Sequence, residues 1–212
     1  MKRAGIVILL FGISLAAMAQ PRLETPEMYV GVQGGVMASM MQFTPSVKQS
    51  ALSPFLGGNA GFVFRYAGHK YCGLQVELNW MQRGWHETET DYYRELDYLE
   101  IPFLAHIYFG KRYRGYLNLG PQIGFLIHES DKNLPSESQP QYMPADKQFD
   151  WGVAGGLGFY ARTVAGVWQL EARFNYSFGS VFSNRKADYF DYSNPMNLSL
   201  NFAYMWQIKG EK

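Results

Sequence analysis

The chain has four histidines, the residue type most often used for metal binding and for general acid–base catalysis: His69, His86, His106 and His128. None of them has a metal-ligand spacing to a second histidine, a cysteine or a carboxylate on one face, so the sequence predicts no metal site and no cofactor. His128, followed by Glu129 and Ser130, lies near one end of a predicted strand and is the single weak catalytic candidate. We interpret it as a solvated base and expect no catalytic residue.

Glu77 and Glu171 form the other combination that could act as acid and base. Arg65 and Arg173 lie on the same polar side of the predicted strands, and this favours ion pairing, since paired buried charges are tolerated and lone ones are costly. We therefore predict a lumenal ion-pair network made of Arg65, Glu77, Glu100, Arg114, Asp150, Arg162, Glu171 and Arg173. Six of them come from five strands and are expected to point inward at comparable mid-barrel depth: Arg65, Glu77, Glu100, Arg114, Glu171 and Arg173. The alternative is a selective pore or an ion path.

The elements that must position these side chains are β-strands. Residues 71–83 read YCGLQVELNWMQR, in which apolar and polar side chains alternate. A period of two is the signature of a strand with one apolar and one polar face. The same alternation occurs in eight segments, which are 28–42, 56–66, 71–83, 96–109, 113–128, 148–162, 167–179 and 195–208.

Short and long connections alternate between these segments. The short ones are 67–70, 110–112 and 163–166, and the long polar ones are 43–55, 84–95, 129–147 and 180–194. Eight strands joined in this way are typical of outer-membrane barrels, with the short turns in the periplasm and the long loops outside the cell. The sequence therefore predicts an all-β fold, an eight-stranded antiparallel up-and-down transmembrane β-barrel.

The volume of the side chains decides which face points into the barrel. The apolar faces carry more aromatic rings than the interior of an eight-stranded barrel can hold, whereas the polar faces are rich in glycine. We therefore place the apolar faces against lipid. Aromatic residues near the strand ends are then expected to form two interfacial girdles, made of Tyr66, Trp80, Phe109, Tyr113, Phe125, Trp151, Trp168, Phe178, Tyr204 and Trp206.

Residues 1–19 have the features of a cleaved secretory signal peptide. A basic pair, an apolar run and the small-residue cleavage sequence AMA follow one another. The mature domain is expected to be a single barrel over residues 20–212. Without the first 19 residues the chain has 17 basic and 18 acidic residues, so its net charge gives no argument for binding nucleic acid.

Five stretches carry a further signal in their order: GLQVELNWMQRG (73–84), LDYLEIPFLAHIYF (96–109), YLNLGPQIGFL (116–126), FDWGVAGGLGF (149–159) and LEARFNYSFG (170–179). Together they resemble the outer-membrane β-barrel domain common in Bacteroidetes, often labelled the porin family or PorT-like. The YLEIP stretch next to the Q.EL strand is the most specific pair. The resemblance implies an integral outer-membrane protein with no known catalytic site. Members of that family include a translocation factor linked to protein secretion and gliding.

These observations predict a non-enzymatic integral protein of the cell outer membrane. Its role is expected to be structural, adhesive or related to assembly and secretion, and to depend on the extracellular loops. A small-solute pore is the alternative, and an outer-membrane lipid-modifying enzyme is a distant third. The expected partners are outer-membrane lipid, the barrel-assembly machinery and a protein at the extracellular loops, and both termini are expected in the periplasm.

Overall fold

The computed structural model describes residues 22–44, 52–87, 91–133, 147–179 and 192–210. They form eight antiparallel strands: β1 (Arg22–Thr44), β2 (Leu52–His69), β3 (Cys72–Glu87), β4 (Tyr92–Gly110), β5 (Tyr113–Lys132), β6 (Phe149–Arg162), β7 (Val167–Ser177) and β8 (Tyr192–Lys209). Each strand pairs with the next, and β8 pairs with β1, so the sheet closes into a barrel. The predicted fold class is confirmed. In these residues no helix is long and apolar enough to cross a membrane.

The seam between β1 and β8 closes the ring. Its pairing runs from Met28 opposite Lys209 to Thr44 opposite Tyr192, with one irregularity next to Met28. Residues from the two ends of the chain therefore lie side by side. The predicted signal peptide, residues 1–19, lies outside the described residues.

The polar faces of the strands point into the barrel. On β7, Gln169, Glu171 and Arg173 are buried, whereas Trp168 and Phe174, which flank them, are exposed. A soluble barrel shows the reverse arrangement, with apolar residues inside and polar residues outside. An apolar outer surface is favourable when the surrounding medium is lipid, so the burial pattern agrees with the face assignment made from side-chain volume.

Several strands extend further than the sequence indicated. Residues 84–95 were expected to form a loop, but β3 continues to Glu87 and β4 begins at Tyr92. β5 likewise reaches Lys132. The reason is physical: beyond the lipid, the outer face of a strand no longer has to be apolar, so the alternation of polarity fades while the strand continues. Much of the predicted loops 43–55, 129–147 and 180–194 lies outside the described residues.

Strand length is unequal around the ring. β1 has 23 residues and β5 has 20, whereas β7 has only 11. A tilted strand of 9–11 residues is enough to cross the hydrocarbon layer. The described strands therefore extend furthest beyond the hydrocarbon layer at β1 and β5, on opposite walls of the barrel, and least at β7.

The aromatic residues assigned to the girdles lie in the outward phase of their strands. At the short-turn end, Tyr204 packs against Trp168 and Trp206 at ring-centroid distances of 4.4 and 4.8 Å. At the long-loop end, Trp151 and Phe178 pack at 5.0 Å. Trp168 and Phe178, one from each cluster, are ten residues apart in the sequence, about the length of one transmembrane strand. The assignment of the two clusters to interfacial girdles stays a prediction.

Glycine allows neighbouring strands and lumenal side chains to come close together. At Gly61 on β2, an added Cβ would overlap the backbone oxygen of Leu78 and the side-chain amide of Asn79 on β3. Gly115 on β5 faces outward, and a Cβ there would meet no atom within 4 Å. The inward glycine is thus required by packing, while the outward one is not.

Candidate functional site

At the centre of the lumen two carboxylates share one arginine. Arg173 on β7 donates from Nη1 and Nη2 to the two oxygens of Glu77 on β3, at 2.5 and 2.7 Å, and from Nε to Glu171 at 2.5 Å. All three side chains are almost fully buried. Because β3 and β7 are four strands apart in a ring of eight, this contact crosses the whole lumen.

Amide and phenol groups hold the same two carboxylates. Gln33 and Asn79 donate to Oε2 of Glu77 at 2.7 and 2.8 Å. Asn118 and Tyr116 donate to Oε2 of Glu171 at 2.7 and 2.9 Å. A carboxylate engaged on both oxygens in a dry site is poorly suited to accept a proton from a substrate. The geometry therefore favours an ion pair over an acid–base pair at Glu77 and Glu171.

Arg65 is buried in the next level of the lumen, and its partners are amides. Its Nε donates to Oε1 of Gln75 at 2.8 Å, and Nη2 also donates to Oε1 of Gln169. The guanidinium lies 5.0 Å from the centroid of the Tyr160 ring. Among the described residues it pairs with no carboxylate, because Arg173 occupies both nearby acids. This differs from the ion pair that the sequence suggested for Arg65.

A second carboxylate site lies at the short-turn end of the lumen. Arg114 on β5 donates to both oxygens of Glu27 on β1, at 2.8 and 3.1 Å, and Arg162 on β6 donates to Glu27 at 2.8 Å. Arg114 was predicted at mid-barrel depth, and this was wrong. Glu27 was missed because the first predicted strand began one residue later. It nevertheless points to the same face of β1 as the inward residues that follow it at every second position.

A layer of tyrosines separates these two levels. It is a buried cluster composed of Tyr29, Tyr108, Tyr116 and Tyr160 with Val63, Ala67, Val167 and Met205. The rings fill the lumen and leave their hydroxyl groups to hydrogen bond: Tyr29 donates to Glu27 at 2.8 Å. His106 is packed into the same layer, where its Nδ1 lies 2.7 Å from Oδ1 of Asn118. These tyrosines were not among the predicted lumenal residues, although they point to the same face of their strands as the polar residues.

Towards the long-loop end, Arg83 joins two of the predicted network residues. Its Nη1 donates to Asp150 at 2.6 Å and to the hydroxyl of Ser177 at 3.2 Å, and its Nη2 pairs with Glu100. The guanidinium also lies 4.6 Å from the centroid of the Tyr98 ring. This cluster ties β3 to β4, β6 and β7.

The uppermost cluster lies in the part of the wall that was predicted to be a loop. Arg94 pairs with Glu129 and lies 3.3 Å from Asp131, and its guanidinium lies 5.6 Å from the centroid of the Trp85 ring. Arg94 and Trp85 are fully buried. Arg94 could have been found from its position in the sequence, because it lies two residues before the buried residue Leu96 and therefore points to the same face of the strand.

The weak catalytic candidate does not assemble. His128 is exposed on the outer face of β5, whereas Glu129 turns inward to Arg94. Successive residues of a strand point to opposite faces, so the histidine and the carboxylate cannot act on one substrate atom. In the part of the chain that the structure describes, no group of three or more histidine, cysteine or acidic residues could hold a metal ion.

Several solved structures are similar to this chain at low sequence identity. Solved structures similar to this chain include OprG from Pseudomonas aeruginosa (13% identity, TM-score 0.49, covering 88% of this chain and 98% of that one). They also include Ail of Yersinia pestis in complex with the heparin analogue sucrose octasulfate (13%, 0.45, 85% and 99%) and the E. coli outer membrane protein W (14%, 0.44, 85% and 98%). No curated protein matches the chain.

The family model described as "Outer membrane protein beta-barrel domain" matches residues 18–183, most of the chain. Such a match, together with the closed ring of eight strands, identifies an integral protein of the outer membrane. The chain therefore belongs to the outer membrane protein beta-barrel domain family.

Proposed function

We propose that this protein is a non-conducting, non-enzymatic barrel that acts by contact at its long-loop end, in a structural, adhesive or assembly role. The observation that carries the proposal is the set of ion pairs that reach across the lumen. The narrower resemblance to PorT-like proteins stays a prediction.

Ion pairs cross the lumen at separate levels. Arg114 reaches from β5 to Glu27 on β1, and Arg173 reaches from β7 to Glu77 on β3, in each case four strands around the ring. A shorter bridge of 2.8 Å joins the amides of Asn59 on β2 and Asn201 on β8, two strands apart around the ring. The interior of an eight-stranded barrel is just filled by side chains, and bridges of this kind obstruct a water path through it. This supports a sealed lumen over the small-solute pore.

The rising part of the wall supports a role in contact. β3 and β4 continue beyond Trp80, and Asp91, directly before β4, is tied to the end of β5 because Asn133 donates to the backbone oxygen of Asp91 at 3.0 Å. A polar edge above the lipid is a suitable surface for a partner. We propose that this end faces the outside of the cell, that both termini lie in the periplasm, and that the barrel-assembly machinery inserts the chain.

Conductance measurements test the sealed lumen. Purified protein inserted into planar bilayers should give no resolved current steps, while a porin inserted under the same conditions serves as the positive control. Stable, reproducible channel currents from the wild type would contradict the proposal and favour the pore.

A deletion strain tests the contact role. Wild-type protein should restore the phenotype of the deletion. A variant altered only at the tip of the wall, Asp91→Lys with Lys132→Glu, should insert normally and fail to restore it. Full rescue by this variant would argue against contact at that tip. A mass shift of lipid A on overexpression would instead favour a lipid-modifying enzyme.

A further inference from the structure

The short-turn end of the barrel contains a recess with an unbalanced charge. It has a volume of about 940 Å³ and is lined by the basic residues Lys70, Lys111, Arg112, Arg114 and Arg162. Glu27 is the single acidic residue among its described lining residues. A cleft lined mainly by one sign of charge concentrates its field on a ligand of the opposite sign.

The single carboxylate does not neutralise the outer part of the recess. Both oxygens of Glu27 are already engaged by Arg114 and Arg162, at 2.8 to 3.1 Å. No acidic side chain among the described residues forms an ion pair with Lys70, Lys111 or Arg112. Three exposed cations are thus available at the rim, where an anion could reach them from solution or from the membrane surface.

The same rim lies at the level of lipid headgroups. The Lys70 ammonium lies 5.3 Å from the centroid of the Tyr71 ring, and the Arg112 guanidinium lies 5.9 Å from that of Tyr113. Exposed tyrosine and tryptophan rings at the end of a barrel mark the boundary between hydrocarbon and headgroups. Cations stacked on these rings therefore lie beside the phosphates of the adjacent leaflet.

The recess is also continuous with the lipid-facing surface. Its lining includes Trp206, a girdle residue that is 49% exposed on the outer face of β8, together with the turn residue Val164. A ligand in the recess could thus place a charged group among the cations and an apolar chain along the indole. A free inorganic anion would use only the first of these two features.

We propose that this recess binds the headgroup of an anionic phospholipid, with the phosphate held by Lys70, Lys111 and Arg112 and the acyl chains lying along Trp206. The site is separate from the long-loop end. Only the choice of leaflet rests on the orientation given under the proposed function, so binding can be tested whichever end faces outward and whether or not the lumen conducts.

Native mass spectrometry of the detergent-purified protein tests the site, with phosphatidylglycerol and phosphatidylcholine of identical acyl chains as probes. The wild type should retain one phosphatidylglycerol in preference to phosphatidylcholine. In the triple variant Lys70→Gln, Lys111→Gln, Arg112→Gln, the affinity for phosphatidylglycerol relative to phosphatidylcholine should fall by about fivefold for each cation removed. The matched control Lys132→Gln, an exposed lysine at the opposite end of β5, should bind like the wild type.

A second variant keeps the test decisive if the triple variant folds poorly. Val164 is fully exposed at the tip of a turn, so Val164→Asp adds a negative charge to the recess without disturbing the barrel. It should weaken phosphatidylglycerol binding and leave phosphatidylcholine binding unchanged. Equal affinity of the wild type for the two lipids would overturn the proposal. So would an unchanged preference in a folded triple variant, or inorganic phosphate that displaces the lipid at similar concentration.

Discussion

Arg173 and Glu77 face each other from opposite walls of the barrel and are joined by two hydrogen bonds, of 2.5 and 2.7 Å. Both side chains are almost fully buried. A buried ion pair of this kind adds little net stability compared with an apolar pair of the same size, because both charges are desolvated. Its effect appears when one partner is removed, since the remaining charge then stays buried without a counter-ion.

The first prediction follows from that asymmetry. Arg173→Met leaves Glu77 and Glu171 buried without their shared cation, and should lower the free energy of unfolding by about 3–5 kcal/mol. Arg65→Met, at an equally buried arginine whose partners are amides, should cost less. Urea unfolding in lipid vesicles measures both. Equal losses for the two variants would show that ion pairing is not what distinguishes Arg173.

The second prediction concerns depth on the lipid face. Leu78 and Gln82 share the outer face of β3, one in the middle of the membrane span and the other beyond the girdle residue Trp80. Leu78→Arg should lower the free energy of unfolding in vesicles by about 2–4 kcal/mol, and Gln82→Arg should lower it by about 0–1 kcal/mol. A similar cost at both positions would contradict the assignment of the membrane span.

The third prediction tests the close approach at glycine. Gly61→Ala forces a methyl group onto the backbone oxygen of Leu78, and overpacking of this kind costs about 1–3 kcal/mol. Gly115→Ala has open space around it and should change the unfolding free energy by less than about 0.5 kcal/mol, as surface substitutions usually do. The urea midpoints of the two variants, measured side by side, test this difference. A decrease in stability at Gly115 as large as that at Gly61 would contradict the packing requirement at the inward glycine.

The fourth prediction is the orientation in the membrane. In a Cys72→Ser background, Lys132→Cys and Val164→Cys place single thiols at opposite ends, at two exposed positions. A membrane-impermeant maleimide added to intact cells should label the cysteine at position 132 and reach the one at 164 only after the outer membrane is permeabilised. The reverse pattern would place the long-loop end in the periplasm.

The architecture could be read from the sequence because lipid imposes a simple rule. Within the membrane span every second residue must be apolar, and residues such as Leu78 and Trp80 obey it. Above the span the rule no longer applies, and Tyr93 and Glu95 lie on the outer face while Tyr92 and Arg94 lie inside. Neither face of that stretch is apolar throughout, so the continuation of the strand has no signal in polarity.

The pairing inside the lumen could not be derived in the same way. Periodicity shows which charges point inward, and it placed Glu77, Glu171 and Arg173 on the correct face. It does not give their relative heights, which depend on strand tilt and register around the ring. Arg114 was therefore predicted at the same depth as Glu77, whereas its partner is Glu27 at the short-turn end.

The seam between β1 and β8 has a consequence for biogenesis. It joins Met28 to Lys209 and Thr44 to Tyr192, residues from the beginning and the end of the chain. Until β8 pairs with it, the edge of β1 that faces β8 keeps its backbone donors and acceptors unpaired, even when β1 is already paired with β2. Such an edge is a template for aggregation with other chains. Pairing between residues so distant in the sequence is slow, so we expect this edge to stay exposed until late in folding.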